Sequence, residues 1–274
     1  MRFDLKKALF ILPNLFTLSS IFCGFFAVLT CLGEPTAESF YKAALLIVFA
    51  MFFDGIDGRV ARATKTQSAF GVQIDSLADV VSFGVAPAVL LYRWSLHQLG
   101  DVGTGISFLF LACGAIRLAR FNVLATAPSG APKKPSKFIL GLPIPGAAGI
   151  VVSIVVANFE VTGHFEAQPY LVAAVVIALS FFMVSTIKFR SFKDVRWGAR
   201  SIFLVLAAVG SATAIAIAIH PAFALVWMLA GYITIGVLEA VLDISRRLAG
   251  KPSRLIETAL ADEERPEARP HKDA

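Results

Sequence analysis

Four aspartates at two short intervals are the most chemically loaded feature of the sequence. Asp54 and Asp57 are three residues apart in Phe53-Asp54-Gly55-Ile56-Asp57-Gly58, and Asp75 and Asp79 are four apart in Ile74-Asp75-Ser76-Leu77-Ala78-Asp79. On a helix these spacings put both members of a pair on one face. Both pairs adjoin apolar runs, about ten residues of connection apart, so they can converge on one site. An aspartate at the centre of a membrane helix costs roughly 2.5–3.5 kcal/mol on an insertion scale, and four neighbouring anions also repel one another. Something cationic must neutralise them, and Arg62 alone cannot balance four carboxylates. Oxygen donors with no His or Cys beside them suit Mg²⁺, Mn²⁺ or Ca²⁺ and argue against zinc. Two ions would match four carboxylates, and ions about 3.5–4 Å apart are suited to displacement at phosphorus. Gly55 and Gly58 leave the helix backbone bare, so a substrate group can approach there. Paired glycines in a membrane helix also serve close helix packing, a role that weighs more for Gly55 than for Gly58.

The elements that must hold these residues are membrane helices. Hydrophobic residues make up 57% of the 274, charged residues only 16%, and the mean hydropathy is +0.75. Those values exclude a soluble domain, a coiled coil and a disordered chain. Apolar runs over 15–32, 41–58, 74–92, 104–121, 142–159, 169–187, 201–219 and 222–243 predict eight spans. Each is long enough, at about 1.5 Å per residue, to cross roughly 30 Å of hydrocarbon. The expected fold is therefore an all-α polytopic bundle. The first run has no small-residue cleavage site after it and is expected to stay in the protein. Residues 2–12, with Arg2, Lys6 and Lys7 among apolar neighbours, are expected to form a short interfacial helix ahead of it.

Charge distribution orients the bundle. With eight spans and an inside N-terminus, 23 of the 25 Lys and Arg residues fall on one side, leaving only Lys42 and Arg93 on the other. That asymmetry places both termini and both aspartate pairs at the cytoplasmic face. The net charge of +6 thus reports topology and attraction to anionic lipid, and gives no support to nucleic-acid binding. Residues 1–250 read as one transmembrane domain and 251–274 as a charged, solvated tail. The Pro- and Lys-rich loop from Thr126 to Lys137 is the longest connection before that tail and is expected to cap something. Cys23, Cys31 and Cys113 lie in apolar segments and read as packing residues. His97, His164, His220 and His271 fall in loops or the tail, and none is assigned catalysis. Glu239 and Asp243 read as helix-end charges near Arg246 and Arg247.

The spacing Asp54-x-x-Asp57-Gly58-x-x-Ala61-Arg62, eight residues, then Gly71-x-x-x-Asp75-x-x-x-Asp79 reproduces every fixed position of the signature of the CDP-alcohol phosphatidyltransferases. The chain resembles that family from about residue 10 to 150. The resemblance implies that Asp54, Asp57, Asp75 and Asp79 hold two Mg²⁺ or Mn²⁺ ions, with Asp79 also accepting the proton of the attacking alcohol. It further implies that Gly58, Arg62 and the loop hydroxyl Ser68 contact the CDP-lipid, together with Asn14 and Thr17 of Pro13-Asn14-Leu15-Phe16-Thr17. A homodimer is implied in the same way. The family core has six spans where eight are counted here, so the last two have no assigned role.

The runs Asp75-Ser76-Leu77-Ala78-Asp79-Val80-Val81-Ser82-Phe83-Gly84-Val85-Ala86-Pro87, Arg117-Leu118-Ala119-Arg120-Phe121-Asn122 and Gly141-Leu142-Pro143-Ile144-Pro145 look like the phosphatidylserine synthase branch. That branch transfers the phosphatidyl group of CDP-diacylglycerol to L-serine, releasing CMP. Serine carries a carboxylate that the family's other alcohols lack, and arginine binds carboxylates through a two-pronged fork. Arg117, Arg120 and Asn122 are therefore the expected serine contacts; the bland alternatives are positive-inside flanking for the arginines and a cap for Asn122. The rival readings are the same transfer to choline or glycerol 3-phosphate, and, outside the enzymes, a divalent-cation transporter. Clustering of the acids at one face, with no matching pair in the second half, tells against transport. The expected location is a bacterial-type inner membrane.

Overall fold

The structure is a computed structural model that describes residues 5–64, 66, 68–125, 138–162, 168–185 and 188–190. Helix α1 runs Leu5–Leu32 and α2 Ala37–Ala63; α3 (Ala69–Asp79) continues through a π-helical segment, Val80–Val85, into α4 (Ala86–Trp94). A short 3₁₀ turn, Leu96–Leu99, leads to α5 (Asp101–Ala125), and α6 (Ile144–Thr162) and α7 (Pro169–Val184) follow. Among the described residues, four stretches are long and apolar enough to cross a membrane: Pro13–Leu32, Ala37–Ala63, Ala69–Trp94 and Asp101–Leu124; Ile144–Glu160 and Pro169–Val184 are shorter apolar helices. The protein is thus an integral membrane protein, and the first six expected spans all correspond to helices. The seventh and eighth, the tail 251–274, and the 126–137 loop lie outside the described residues.

Two expectations are corrected. Residues 5–12 are not a separate interfacial helix, because α1 passes through Pro13 without a break. Proline removes one backbone donor and crowds the preceding turn, which a long helix can absorb when its other bonds hold. The connection between the aspartate-bearing helices is Thr64 to Ser68, about half the length expected, because α2 runs on past its apolar stretch to Ala63 and α3 starts at Ala69. The all-α class stands as expected, with one small addition: Phe138–Leu140 pairs antiparallel with Lys188–Arg190. Three-residue strands have too few side chains to show a period in the sequence.

Small residues decide how the helices pack. Ala27 on α1 and Ala43, Ala44 and Ala50 on α2 are buried, letting the two longest helices approach closely. Phe40, Phe83 and Phe110 fill the interior, whereas Phe22, Phe52, Phe108 and Phe181 point outward, a distribution that is stable in lipid because acyl chains solvate aromatic surface. Cys23 and Cys31 are buried, Cys113 is partly so, and all three are free thiols, in keeping with packing roles. The two cations left off the basic side are both used locally: Arg93 donates from Nε to the Cys31 carbonyl at 2.9 Å and from Nη2 to the Gly33 carbonyl at 3.2 Å, and Lys42 pairs with Glu38 at 2.8 Å. Arg93 thereby satisfies carbonyls that the end of α1 leaves without helical partners.

The π-helical segment begins directly after Asp79. Its widened turn is closed by the Ala86 amide bonding to the Val81 carbonyl, five residues back. Pro87 follows at the start of α4, and its ring has no N–H to donate and presses on the carbonyl four residues before it. The wide turn is where the continuous helix Ala69–Trp94 takes up that conflict.

Candidate active site

The four aspartates meet where the C-terminal part of α2 faces α3. Asp54, Asp57 and Asp75 each present a carboxylate oxygen, and these oxygens lie within 4.8 Å of one another. Asp57 is buried while Asp54, Asp75 and Asp79 are half-buried. Asp79 reaches Asp54 side chain to side chain, and its Oδ1 is buried with no hydrogen-bond partner. Converging, partly desolvated carboxylates with one orphaned oxygen are costly unless a positive charge joins them. The donors are all oxygen, so the set fits hard divalent cations.

The glycines differ from what spacing alone indicates. A Cβ on Gly55 would meet nothing within 4 Å, so this glycine does not serve packing in the folded chain. A Cβ on Gly58 would lie 3.4 Å from Arg62 Nη1; the bare backbone lets the Arg62 guanidinium fold back beside the aspartates. The α2 backbone is thus open at Gly55 and overlain by Arg62 at Gly58. In the connection, the Thr64 and Thr66 hydroxyls are 2.7 Å apart, and the Thr66 amide bonds to the Ala61 carbonyl at 3.0 Å. Ser68 is the N-cap of α3, its Oγ accepting from the Gly71 amide at 3.0 Å. Its hydroxyl already has helix-starting work to do.

Residues from α1 and α5 complete the surroundings. Thr17 is buried and donates from Oγ1 to Asp57 Oδ2 at 2.7 Å, with the Pro13 carbonyl 3.2 Å away as a longer second acceptor. Asn14, one turn earlier, is half-buried. The two arginines of α5 diverge. Arg117 is buried, near enough to Asp79 for their charges to interact, and stacks 5.6 Å from the centre of the Phe121 ring. Arg120 donates from Nη1 to the Val184 carbonyl at 2.9 Å, capping the end of α7. Asn122 donates from Nδ2 to Ser76 Oγ at 2.8 Å, which ties the end of α5 to α3 between Asp75 and Asp79.

Sequence reasoning passed over Ser20, Ser76 and Ser82. Each is a hydroxyl inside an apolar helix, and a buried hydroxyl needs a partner. That was the available signal, but it does not say which helix supplies the partner.

Residues 10–184 match the family model described as CDP-alcohol phosphatidyltransferase. The CDP-diacylglycerol–serine O-phosphatidyltransferase of Helicobacter pylori is 40% identical over 201 residues, covering 72% of this chain and 79% of the relative. The enzyme of the same name from Bacillus subtilis is 34% identical over 182 residues, 66% of this chain and 91% of its own length. The archaetidylserine synthase of Methanothermobacter thermautotrophicus is 34% identical over 189 residues, 68% of this chain and 72% of that protein.

Proposed function

The chain belongs to the CDP-alcohol phosphatidyltransferase family, and from that premise we propose that it transfers the phosphatidyl group of CDP-diacylglycerol to L-serine, giving phosphatidylserine and CMP. The observation that carries the reading is the convergence of Asp54, Asp57 and Asp75 within 4.8 Å beside Asp79 and the α2 backbone open at Gly55. Relatives named for this transfer align with 72% and 66% of the chain.

In this reading Asp54, Asp57, Asp75 and Asp79 hold two Mg²⁺ or Mn²⁺ ions. When bound, such ions supply the positive charge that offsets the diphosphate and the departing CMP. The rest of the work belongs to the chain. Gly55 and Gly58 let the diphosphate approach the α2 backbone, and Arg62, folded over Gly58, pairs with a phosphate oxygen. Asn14 and the hydroxyl-lined connection, Ser68 included, face the nucleotide. Asp79 accepts the serine hydroxyl proton as the serine oxygen forms its bond to the lipid-side phosphorus; the bond from that phosphorus to the bridging oxygen breaks, and the electron pair leaves with CMP. Of the arginines, Arg117 is the better placed for the serine carboxylate, being buried close to Asp79, whereas Arg120 already serves α7.

The basic bias of the connecting segments supports a site at the cytoplasmic face of a bacterial-type inner membrane, where CDP and serine are soluble and acyl chains reach the site sideways between helices. We extend the reading to eight spans with both termini cytoplasmic, a domain over 1–250 with a solvated tail, and a homodimer. Purified protein given labelled CDP-diacylglycerol and a panel of alcohols tests the acceptor. Serine should yield phosphatidylserine, while choline, glycerol 3-phosphate and ethanolamine should be poor. A preferred product other than phosphatidylserine would refute serine as the acceptor.

A further inference from the structure

Helix α1 carries three residues on one face at i, i+3 and i+7: Thr17, Ser20 and Gly24. Thr17 meets α2, and Ser20 and Gly24 both meet Ser82 of the π segment. Thr17 holds Asp57 of α2 through the 2.7 Å bond. One turn on, Ser82 Oγ donates to the Ser20 carbonyl at 2.9 Å, and Ser20 Oγ stands 3.3 Å from Ser82 Oγ. Both serines are buried. Another turn on, a Cβ at Gly24 would lie 2.7 Å from Ser82 Cα, so only glycine lets the backbone of the π segment come so close. Ser82 lies three residues after Asp79, inside the π segment. Two carboxylate arms on different helices are thus pinned to one face of a third.

We infer that α1 is the positioning element of the site: Thr17 sets the direction of the Asp57 carboxylate, and the Ser20–Ser82 contact fixes the π turn that aims Asp79. Thr17 is then not a nucleotide contact, since its hydroxyl points to Asp57. The contact at Ser82 explains why the wide turn directly after Asp79 holds one register: it is tied by a hydrogen bond and by close backbone packing. The inference rests on the reading that the aspartates bind divalent cations and that Asp79 takes the acceptor proton.

The test compares Thr17→Val, which keeps the volume and removes the hydroxyl, with Thr17→Ser, which restores it. Mn²⁺ affinity of the purified full chain, followed by electron paramagnetic resonance, should weaken about tenfold in Thr17→Val, as is typical when a partner behind a metal ligand is lost, and return toward wild type in Thr17→Ser. Ser82→Ala should lower kcat about tenfold with the KM for CDP-diacylglycerol unchanged. Asp57→Asn is the reference. Wild-type Mn²⁺ affinity in Asp57→Asn would overturn the metal reading and this inference together. Loss in Asp57→Asn with none in Thr17→Val overturns the inference alone, as does a raised CDP-diacylglycerol KM at unchanged Mn²⁺ affinity, which would make Thr17 a nucleotide contact. Wild-type kcat in Ser82→Ala removes the second pin.

Discussion

Glycines at the mouth of the acidic site and glycines in the helix crossing beneath it are set to opposite uses. At the mouth, a side chain on Gly55 would enter open space. In the crossing, one on Gly24 would strike the backbone of Ser82 at 2.7 Å, and one on Gly84 would come within 2.9 Å of Leu111 Cδ1. The same residue type leaves open space in one region and brings backbones together in the other. The difference teaches that this protein keeps a loosely walled, charged opening by holding the helices tightly just below it.

The sharpest way to break that comparison is at the charges themselves. Asn at Asp54, Asp57 or Asp75 keeps the shape and removes a ligand charge, so each should lower turnover at least about 100-fold, roughly 2.7 kcal/mol at the transition state. Relief of repulsion should leave folding intact, seen as an unchanged or raised melting temperature in detergent. EDTA should abolish transfer and Mg²⁺ or Mn²⁺ should restore it. A mild effect at two of the three, or full activity in chelator, would contradict the assignment. Asp79→Asn should keep binding of a CDP analogue while losing turnover; unimpaired turnover would remove Asp79 from the proton-accepting role.

A smaller effect sharpens the contrast between the glycines. Gly24→Ala should destabilise the protein by about 1–3 kcal/mol, the usual result of overpacking, because the obstacle is backbone and cannot rotate away. Gly55→Ala should leave the melting temperature unchanged or higher, since alanine is favoured over glycine in a helix by up to about 1 kcal/mol. Its cost should fall on the KM for CDP-diacylglycerol, raised by roughly three- to tenfold as the approach to the backbone narrows. Equal melting temperatures for the two variants would dissolve the distinction.

What the sequence displayed and what it concealed follow the same division. The aspartate pairs were legible because i, i+3 and i, i+4 spacings are local, and ionisable residues beside apolar runs stand out. The first six helices were legible as hydropathy, and Cys23, Cys31 and Cys113 as apolar packing. Partners across helices were not. Nothing in the run Arg117-Leu118-Ala119-Arg120 tells which arginine turns to Asp79 and which to the Val184 carbonyl, because that depends on where α7 ends. Thr17 looked like a ligand contact, and only the approach of α2 shows its hydroxyl occupied by Asp57. The role of Gly55 was misjudged for the same reason: helix spacing shows that two glycines share a face, not what that face meets. The π turn at Val80–Val85 was hidden because a single widened turn leaves the apolar pattern almost unchanged.

The arginines give the smallest effects. Lys at Arg117 keeps the charge but loses the two-pronged fork, and should raise the serine KM about tenfold with little change for CDP-diacylglycerol. Lys at Arg120 should leave both KM values near wild type and at most soften the α7 end, by about 1 kcal/mol or less. A silent Arg117→Lys would take away the residue-level case for serine and leave the transfer chemistry untouched.

The most direct measurement strips the purified protein with EDTA, then titrates Mn²⁺ back while CMP release and lipid product are followed in one reaction, with and without serine. The account predicts that CMP and phosphatidylserine appear together in equal amounts, only when both metal and serine are present. Product formed in chelator, or CMP released without serine at the same rate as with it, would contradict a metal-dependent transfer to a bound alcohol at these four aspartates.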